Sequence, residues 1–318
     1  MKVFVIGAGR WGSFIAWYLD KIGHSVSLYG RESSEKMQEL IATRKNSVIT
    51  FPGSITLTTS LDGISAADII VISIDSQGLS ALMDTLRPKS IENKIFVLCM
   101  KGIEIGSGKR LSEIVTEKTS PTNAVAVWLG PGHVQEFYSG TPNCMVIDSD
   151  NEAAKCILVE SFSSDLIRFY YGTDLIGNEI GAAAKNVIGI AAGILDGFGL
   201  SSLKGALMAR APREISRLVE SLGGNPVSVY GLCHLGDYEA TVFSRYSHNR
   251  AFGENLVRGV SSDGLAEGYY TVKALIELSD KYSVDLPICR AVYSVIYENA
   301  SPKEEMERLF SRALKNEF

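Results

Sequence analysis

Residues 2–12 read KVFVIGAGRWG, an apolar run that leads straight into glycines at positions 7, 9 and 12. The run predicts a buried strand, and Trp11–Ile22 behind it has the apolar spacing of a helix before a second strand at Ser25–Tyr29. A G-x-G-x-x-G sequence in this setting is typical of a dinucleotide-binding βαβ unit, in which the glycines allow a tight turn, close approach of a pyrophosphate and close helix packing. The alternative is a glycine-rich turn without a ligand. We predict a cofactor loop formed by Gly7, Gly9, Arg10, Trp11 and Gly12.

The segment after the second strand bears on the choice of cofactor. A site for NAD usually places Asp or Glu at the end of this strand, where it holds the ribose hydroxyls. This chain instead reads Tyr29-Gly30-Arg31-Glu32. Arg31 could stack on adenine and pair with a 2′-phosphate, which slightly favours NADP over NAD. The adjacent Glu32, and the usual solvation of a loop arginine, leave NAD open.

Short β-branched runs alternate with helical stretches in the first half of the chain, as in a parallel sheet covered by helices on both faces. These runs lack the polar alternation of half-exposed strands. From about Ile176 onward only helical patterns remain. We predict the fold class α/β, with an N-terminal Rossmann-type, doubly wound, mainly parallel sheet over residues 1–177 and a C-terminal all-helical domain over 178–318. The predicted strands are Lys2–Ile6, Ser25–Tyr29, Ile69–Ile74, Lys94–Leu98, Ala124–Leu129, Asn143–Ile147 and Leu166–Tyr170.

Local signals divide the helical half further. Ser201 and Ser202 are predicted to cap a helix that Pro212 kinks or interrupts. The most apolar stretch, Asn186–Leu195, is about half the length that a bilayer span requires, so we expect a buried helix and no stable membrane insertion. Additional helices are predicted at Leu265–Tyr282, Arg290–Glu298 and Lys303–Arg312.

Composition excludes several classes of protein. The formal net charge is -5 and the basic residues are scattered, which argues against a nucleic-acid-binding surface. The five cysteines lack a Cys-x-x-Cys pair, which predicts reduced, mostly buried thiols and a cytoplasmic location. The four histidines also lack ligand spacing, so we expect no metal site.

Lys185 stands out within a nearly continuous apolar helix at Glu179–Val187. On a helix its neighbours three and four positions away are Gly181, Ala182, Ile188 and Gly189, and none is a carboxylate. Desolvation lowers the pKa of an ammonium group, which suits such a lysine to exchange a proton near neutral pH. The alternative is an ammonium group that simply extends to the surface.

A set of short motifs runs in a fixed order along nearly the whole chain. Together they resemble the glycerol-3-phosphate dehydrogenase family. The resemblance implies the reversible reduction of dihydroxyacetone phosphate to sn-glycerol 3-phosphate by NADH or NADPH, for glycerophospholipid synthesis, and a homodimer. The motifs are Gly7-Ala8-Gly9-x-Trp11-Gly12, Lys101-Gly102-Ile103-Glu104, Gly130-Pro131-x-His133, Ala184-Lys185-Asn186, Gly197-x-Gly199, Gly236-Asp237, Asn249-Arg250-x-Phe252-Gly253 and Ala266-Glu267-Gly268.

The resemblance also implies roles for individual residues. Lys185 corresponds to the general acid that protonates the oxygen formed at C2, Lys101 to a second lysine at the reacting centre, and Asp237 to a residue that orients a lysine or a substrate hydroxyl. His133 and His234 receive no chemical role. The implied substrate-binding residues are Lys101, Gly130, Gly132, Asn186, Asp237, Thr241, Ser247, His248, Asn249 and Arg250. Beyond the glycine loop and Arg31, the implied cofactor-binding residues are Lys101, Val134, His248, Leu265 and Glu267.

Two positions depart from the family pattern. His248 stands where the family usually has an arginine that clamps the substrate phosphate, and histidine is shorter and lacks the bidentate fork. Gly132 stands where the family usually has Ser or Thr. Arg250 or Arg245 could compensate for the missing arginine. Two other functions therefore stay open: a dehydrogenase of another small hydroxy acid or phosphate, and a cofactor-binding sensor without catalysis, against which the intact Lys185, Lys101 and Asp237 argue.

Overall fold

A computed structural model describes residues 1–261, 266–314 and 316. The contacts divide the chain into two compact units. The first comprises Met1–Lys101 and Lys109–Glu179, and the second comprises Gly102–Gly108 and Ile180–Phe318. The chain thus leaves the first unit briefly at residues 102–108 before it finally enters the second.

The first unit is built on an eight-stranded sheet in the order β3-β2-β1-β4-β5-β6-β7-β8. All neighbouring strands are parallel except β6 and β7. The order reverses at β1, so the carboxyl ends of β1 and β4 flank the switch point where ligands of such sheets bind. The strands are β1 Lys2–Ile6, β2 Ser25–Tyr29, β3 Thr56–Thr58, β4 Ile69–Ile72, β5 Ile95–Leu98, β6 Ala124–Leu129, β7 Asn143–Asp148 and β8 Ile167–Tyr171.

A large hydrophobic core joins this sheet to its helices. Trp128 on β6 is fully buried against Tyr18 and Phe162 from two helices, with ring centroids 5.9 and 5.7 Å away. Such aromatic pairs combine a large buried area with specific geometry. The helices of the first unit are α1 Arg10–Lys21, α2 Glu35–Thr43, α3 Leu79–Leu86, α4 Leu111–Lys118, α5 Val134–Tyr138 and α6 Glu152–Phe162.

The structure confirms the predicted mainly parallel α/β fold and corrects three details of the sheet. Strand β3 was not predicted, because its three residues are too short for a periodic signal. Strand β4 ends at Ile72, two residues before the predicted end, because Ser73 begins the loop that packs on the glycine turn. Strands β2 and β8 alternate between buried and more exposed residues, so the expectation of two buried faces is wrong for them.

The second unit is built mainly from helices. They are the greater part of α7 Leu175–Gly197, then α8 Lys204–Ser221, α9 His248–Arg258, α10 Glu267–Tyr282, α11 Pro287–Tyr297 and α12 Pro302–Phe310. Short helical turns at Leu235–Asp237 and Glu239–Phe243 lie between α8 and α9. They carry Asp237 and Thr241, the partners of Lys185.

Helix α7 is longer than the apolar stretch that predicted it. At 23 residues it is long and apolar enough to cross a membrane, and 78% of its most apolar window is buried within the protein. This burial agrees with the predicted core helix.

The predicted cap of α8 is wrong. Ser201 and Ser202 lie in a separate short turn, and the Ser201 hydroxyl donates to Asp196 at 2.8 Å instead of capping the helix. Pro212 lies inside α8 without interrupting it. Pro212 is buried, and the apolar face of α8 around it packs into the helical core, which offsets the loss of one backbone hydrogen bond.

Candidate functional site

The glycine loop has the geometry that a dinucleotide phosphate requires. Gly7 has a φ of 116°, and a Cβ there would come within 2.1 Å of the carbonyl oxygen of Ser73, so only glycine fits. Gly12 allows α1 to pack closely on β1, because a Cβ at this position would lie only 1.9 Å from the carbonyl oxygen of Gly7. A Cβ on Gly9 would contact no described atom within 4 Å. Gly9 therefore faces open space at the N-terminus of α1, where backbone amides favour an anion.

The other residues predicted for the cofactor surround this loop in different ways. Arg10 is the exposed first residue of α1, whereas Trp11 is half-buried and packs on Phe14 with ring centroids 5.2 Å apart. Arg31 is exposed two residues beyond the end of β2. The carboxyl ends of β1 and β2 thus place Arg31 at the same edge of the sheet as the glycine loop.

Lys101 lies at the same edge, beyond the end of β5. Its ammonium group donates to the carbonyl oxygen of Gly130 at 2.8 Å, and Gly130 directly follows β6. The contact holds a positive charge across the ends of two neighbouring strands. This position favours ligand binding over a role as a solvated loop residue.

Gly132 and Val134 lie in the segment that follows β6. Val134 is the first residue of α5, and its side chain is buried in the core. Gly132 has a φ of 148°, and a Cβ there would lie 2.1 Å from the ring of Phe137. The Phe137 ring is itself buried and stacked on Phe14. The missing Ser or Thr side chain is therefore replaced by an aromatic ring that fills its space.

In the second unit, Lys185 lies in a defined polar pocket. Its ammonium nitrogen is 2.9 Å from Asp237 Oδ2 and donates to the Thr241 hydroxyl at 2.8 Å. Thr241 in turn donates to the carbonyl oxygen of Asp237 at 2.8 Å. Lys185 and Asp237 are 7% and 1% exposed, so both charges are removed from bulk water. The alternative of an ammonium group extending to the surface is thereby excluded.

A second polar network begins at the next residue of α7. Asn186 donates to Glu267 at 3.3 Å and accepts from Asn249 at 3.0 Å. The amide oxygen of Asn249 accepts from the backbone N–H of Gly268 at 2.9 Å. Three predicted residues from α7, α9 and α10 are thus brought into one hydrogen-bonded chain. Leu265, also predicted for the cofactor, lies outside the described residues.

Two residues of the Ser247–Arg250 segment, Ser247 and Arg250, make structural contacts within the protein. Ser247 caps α9 by accepting from the Arg250 backbone N–H at 3.2 Å, and His248 is exposed as the first helical residue. The Arg250 guanidinium pairs with Asp196 at 2.8 Å and Glu254 at 3.0 Å. Since two carboxylates hold Arg250, it is poorly placed to replace the missing phosphate clamp. Arg245 is exposed and lies over the Tyr246 ring.

Sequence reasoning missed two residues of the second unit that hold elements of the candidate site. His234, to which no chemistry was assigned, is fully buried and hydrogen-bonded to α7 and to Tyr238. Asp196 was not considered, although it accepts from Lys204 at 2.7 Å and from Arg250. The periodicity of α7 does not distinguish Asp196 from a solvated residue. Within the described parts of the chain, no group of three or more His, Cys, Asp or Glu is arranged to hold a metal ion.

Comparisons with known proteins cover both units. The N-terminal model of NAD-dependent glycerol-3-phosphate dehydrogenase matches residues 2–155, and the C-terminal model of the same family matches residues 174–307. A glycerol-3-phosphate dehydrogenase [NAD(P)+] from Prosthecochloris aestuarii is 37% identical over the full length of both chains. One from Chlorobium phaeobacteroides is 38% identical, covering 100% of this chain and 99% of that protein.

A solved structure has the same fold over nearly the whole chain. The crystal structure of glycerol-3-phosphate dehydrogenase from Coxiella burnetii superposes with a TM-score of 0.92 at 27% identity. The match covers 98% of this chain and 99% of the other. The fold agreement therefore includes the sheet and the helical unit alike.

Proposed function

Because the chain belongs to the NAD-dependent glycerol-3-phosphate dehydrogenase family, we propose that it reversibly reduces dihydroxyacetone phosphate to sn-glycerol 3-phosphate with NAD(P)H. The observation that carries this proposal is the buried Lys185 ammonium between Asp237 and Thr241. A ketone reduction needs a proton donor beside the oxygen that becomes a hydroxyl, and the Lys185 ammonium group, held by Asp237 and Thr241, provides one. The same contacts argue against a sensor that has lost catalysis.

In the proposed reaction, the residues of the chain control charge and proton transfer. When bound, a nicotinamide cofactor would supply the hydride that C2 of the ketone accepts. Lys185 donates a proton to the C2 oxygen, so that the negative charge developing there is neutralised. Asp237 and Thr241 orient the ammonium group before the transfer, and the Asp237 carboxylate stabilises its protonated form between turnovers.

The remaining site residues support binding in this proposal. The first unit acts as the cofactor domain, with the glycine loop holding the pyrophosphate, Arg31 at the adenosine ribose and Lys101 adding positive charge near the substrate. The helical unit acts as the substrate domain. Asn186 and Asn249 present amide groups to the small phosphorylated substrate, and Glu267 lies in the same hydrogen-bonded chain.

One observation favours a second candidate. Arg250 is held by two carboxylates and His248 replaces the usual arginine, so the phosphate clamp is weakened. A dehydrogenase of another small hydroxy acid or phosphate would tolerate this change. To distinguish the two functions, we would measure the oxidation of NADH and NADPH in the presence of dihydroxyacetone phosphate, as the loss of absorbance of the reduced nicotinamide. Saturable oxidation supports the first function, whereas cofactor binding without oxidation supports the second.

Arg31 provides a prediction about cofactor choice. If it pairs with the 2′-phosphate, Arg31→Ala should raise the KM for NADPH by about ten-fold and leave the KM for NADH within about two-fold, because a charge-assisted contact is lost. Steady-state kinetics with both cofactors would measure this. Lys36→Ala, which removes an exposed positive charge from nearby α2, is the matched control. An equal change for both cofactors in Arg31→Ala would contradict the assigned role.

Gly132 provides a prediction about the second departure from the family. Gly132→Ser restores the usual side chain, but it should destabilise the protein by about 1–3 kcal/mol, because its Cβ meets the buried Phe137 ring and the residue has a positive φ. Urea denaturation would measure the free energy of unfolding. Gly53→Ser is the control, since a Cβ there meets no described atom within 4 Å. Unchanged stability in Gly132→Ser would show that the ring moves freely.

We also propose the cellular location and the oligomeric state of the enzyme. None of the five cysteines forms a disulfide, and three of them, Cys99, Cys233 and Cys289, are buried, as expected for a reducing compartment such as the cytoplasm. We expect a homodimer, by analogy with the family. Sedimentation of the full chain at several concentrations would test the dimer, and a single monomeric species would refute it.

A further inference from the structure

His234 and Tyr238 form a buried hydrogen-bonded pair against α7. His234 Nδ1 lies 2.8 Å from the carbonyl oxygen of Gly181, and His234 Nε2 lies 2.7 Å from the Tyr238 hydroxyl. Both side chains are fully buried. A Cβ on Gly181 would come within 3.0 Å of the Cβ of His234, so the absence of a side chain lets the histidine sit directly on the helix backbone. The pair is therefore attached to the helix that carries Lys185.

The two contacts define the tautomer of His234. A carbonyl oxygen only accepts, so Nδ1 must carry the proton that is donated to Gly181. Burial lowers the pKa of His234 to about 4; Lys185 acts in the same direction, while the Gly181 hydrogen bond and Asp237 oppose it. The ring is thus neutral at pH 7, and its bare Nε2 accepts the hydrogen of the Tyr238 hydroxyl.

His234 and Tyr238 alternate along the chain with Asp237 and Thr241, the two residues that hold the Lys185 ammonium group. The backbone N–H of Asp237 donates to the carbonyl oxygen of His234 at 3.1 Å, and that of Thr241 donates to Tyr238 at 3.1 Å. In an α-helix, the Gly181 carbonyl is also the acceptor for the backbone N–H of Lys185, four residues later. The segment from His234 to Thr241 therefore contacts α7 at two places. It bonds to the Gly181 carbonyl and, one turn further along the helix, to the Lys185 ammonium group.

We propose that His234 and Tyr238 are positioning residues for Lys185. The neutral imidazole, bonded to Gly181 and Tyr238, holds Asp237 and Thr241 at hydrogen-bonding distance from the Lys185 ammonium. This inference rests on the proposed function, since it assigns the pair an effect on the proton-transfer step. Because both residues act through Lys185, their loss should lower kcat and leave the KM for the ketone nearly unchanged.

Protonation of His234 would break this arrangement. An imidazolium has no acceptor at Nε2, and it adds a positive charge close to Lys185. Other titratable groups also affect the pKa values of the pair. Asp237, from the same segment, acts on the pKa of His234, and Glu214 of α8 and Cys289 of α11 act on the pKa of Tyr238. Since the folded pKa lies below the usual 6.5, the unfolded chain binds the proton first. The contribution of His234 to stability therefore declines as the pH falls from about 6.5 toward 4.

The kinetic test compares variants of the full chain that remain folded. Tyr238→Phe and His234→Leu should lower kcat by roughly ten- to a hundred-fold, with KM within about two-fold, because a small misplacement of a catalytic group is costly. His234→Asn keeps a donor near the position of Nδ1 and should retain more activity than His234→Leu. Tyr230→Phe, which alters a tyrosine with 47% exposure, is the control. Circular dichroism and urea denaturation would establish that each variant is folded.

The spectroscopic test reads the tautomer directly. In the wild-type chain labelled with ¹⁵N-histidine, one histidine should show a protonated Nδ1 and a bare Nε2 at pH 7, without titrating above pH about 5. Tyr238→Phe should shift its Nε2 resonance. A protonated Nε2, or folded Tyr238→Phe and His234→Leu variants with wild-type kcat, would overturn the positioning role. Absence of wild-type turnover would instead refute the proposed function, and the resonance would still decide the hydrogen-bond arrangement.

Discussion

Lys185→Ala should lower kcat for ketone reduction by at least on the order of 10²–10⁴, the usual contribution of a positioned general acid. The substitution removes the ammonium group between Asp237 and Thr241 and leaves the cofactor loop of the first unit untouched. The affinity for NAD(P)H should therefore be retained. Steady-state kinetics and cofactor titration by fluorescence would measure the two effects separately.

Two further variants separate the possible causes of that loss. Lys185→Arg retains the charge but cannot release a proton near neutral pH, so it should not restore turnover. Lys155→Ala removes a lysine of the first unit that is similarly buried and ion-paired, with Glu152 at 2.7 Å, and it should retain most of the activity. If Lys185→Arg were as active as the wild type, Lys185 would act by its charge alone.

Gly193→Ala should destabilise the helical unit by about 3 kcal/mol or more. Its Cβ would lie 1.9 Å from the carbonyl oxygen of Arg250 on α9, and no side-chain rotation can relieve a collision with backbone. On the facing helix, a Cβ on Gly253 would lie 2.0 Å from the carbonyl oxygen of Ile190. Either substitution must therefore push α7 and α9 apart.

The separation of α7 from α9 should also reduce activity. Asn249 on α9 bonds to Asn186 on α7 at 3.0 Å, and this contact cannot survive a shift of the helix axes. Urea denaturation would measure the free energy of unfolding. Gly205→Ala is a matched control in α8, because a Cβ there meets no described atom within 4 Å, and it should stabilise the protein by about 0.4–1 kcal/mol. Equal effects of the two substitutions would show that the crossing of α7 and α9 is not tightly packed.

The sequence alone was sufficient to predict the α/β fold, seven of the strands and the glycine loop. These features depend on neighbours a few residues apart: β-branched runs for the strands, and glycines at positions 7, 9 and 12 for the turn. Strand β3 escaped prediction because three residues carry too little pattern, and it forms through pairing with β2. Pro212 does not interrupt α8, because tertiary packing outweighs the local signal of the proline.

Within the candidate site, the sequence singled out the residues that we propose to carry chemistry, whereas the tertiary structure decided what each of them contacts. Lys185 has no carboxylate neighbour on its own helix, and its partner Thr241 is 56 positions away along the chain. The capture of Arg250 by Asp196 and the anchoring of His234 on Gly181 likewise join distant segments. The physical reason is that periodicity reports local backbone preference, whereas ion pairs and buried hydrogen bonds exist only once the packing of distant helices has excluded water.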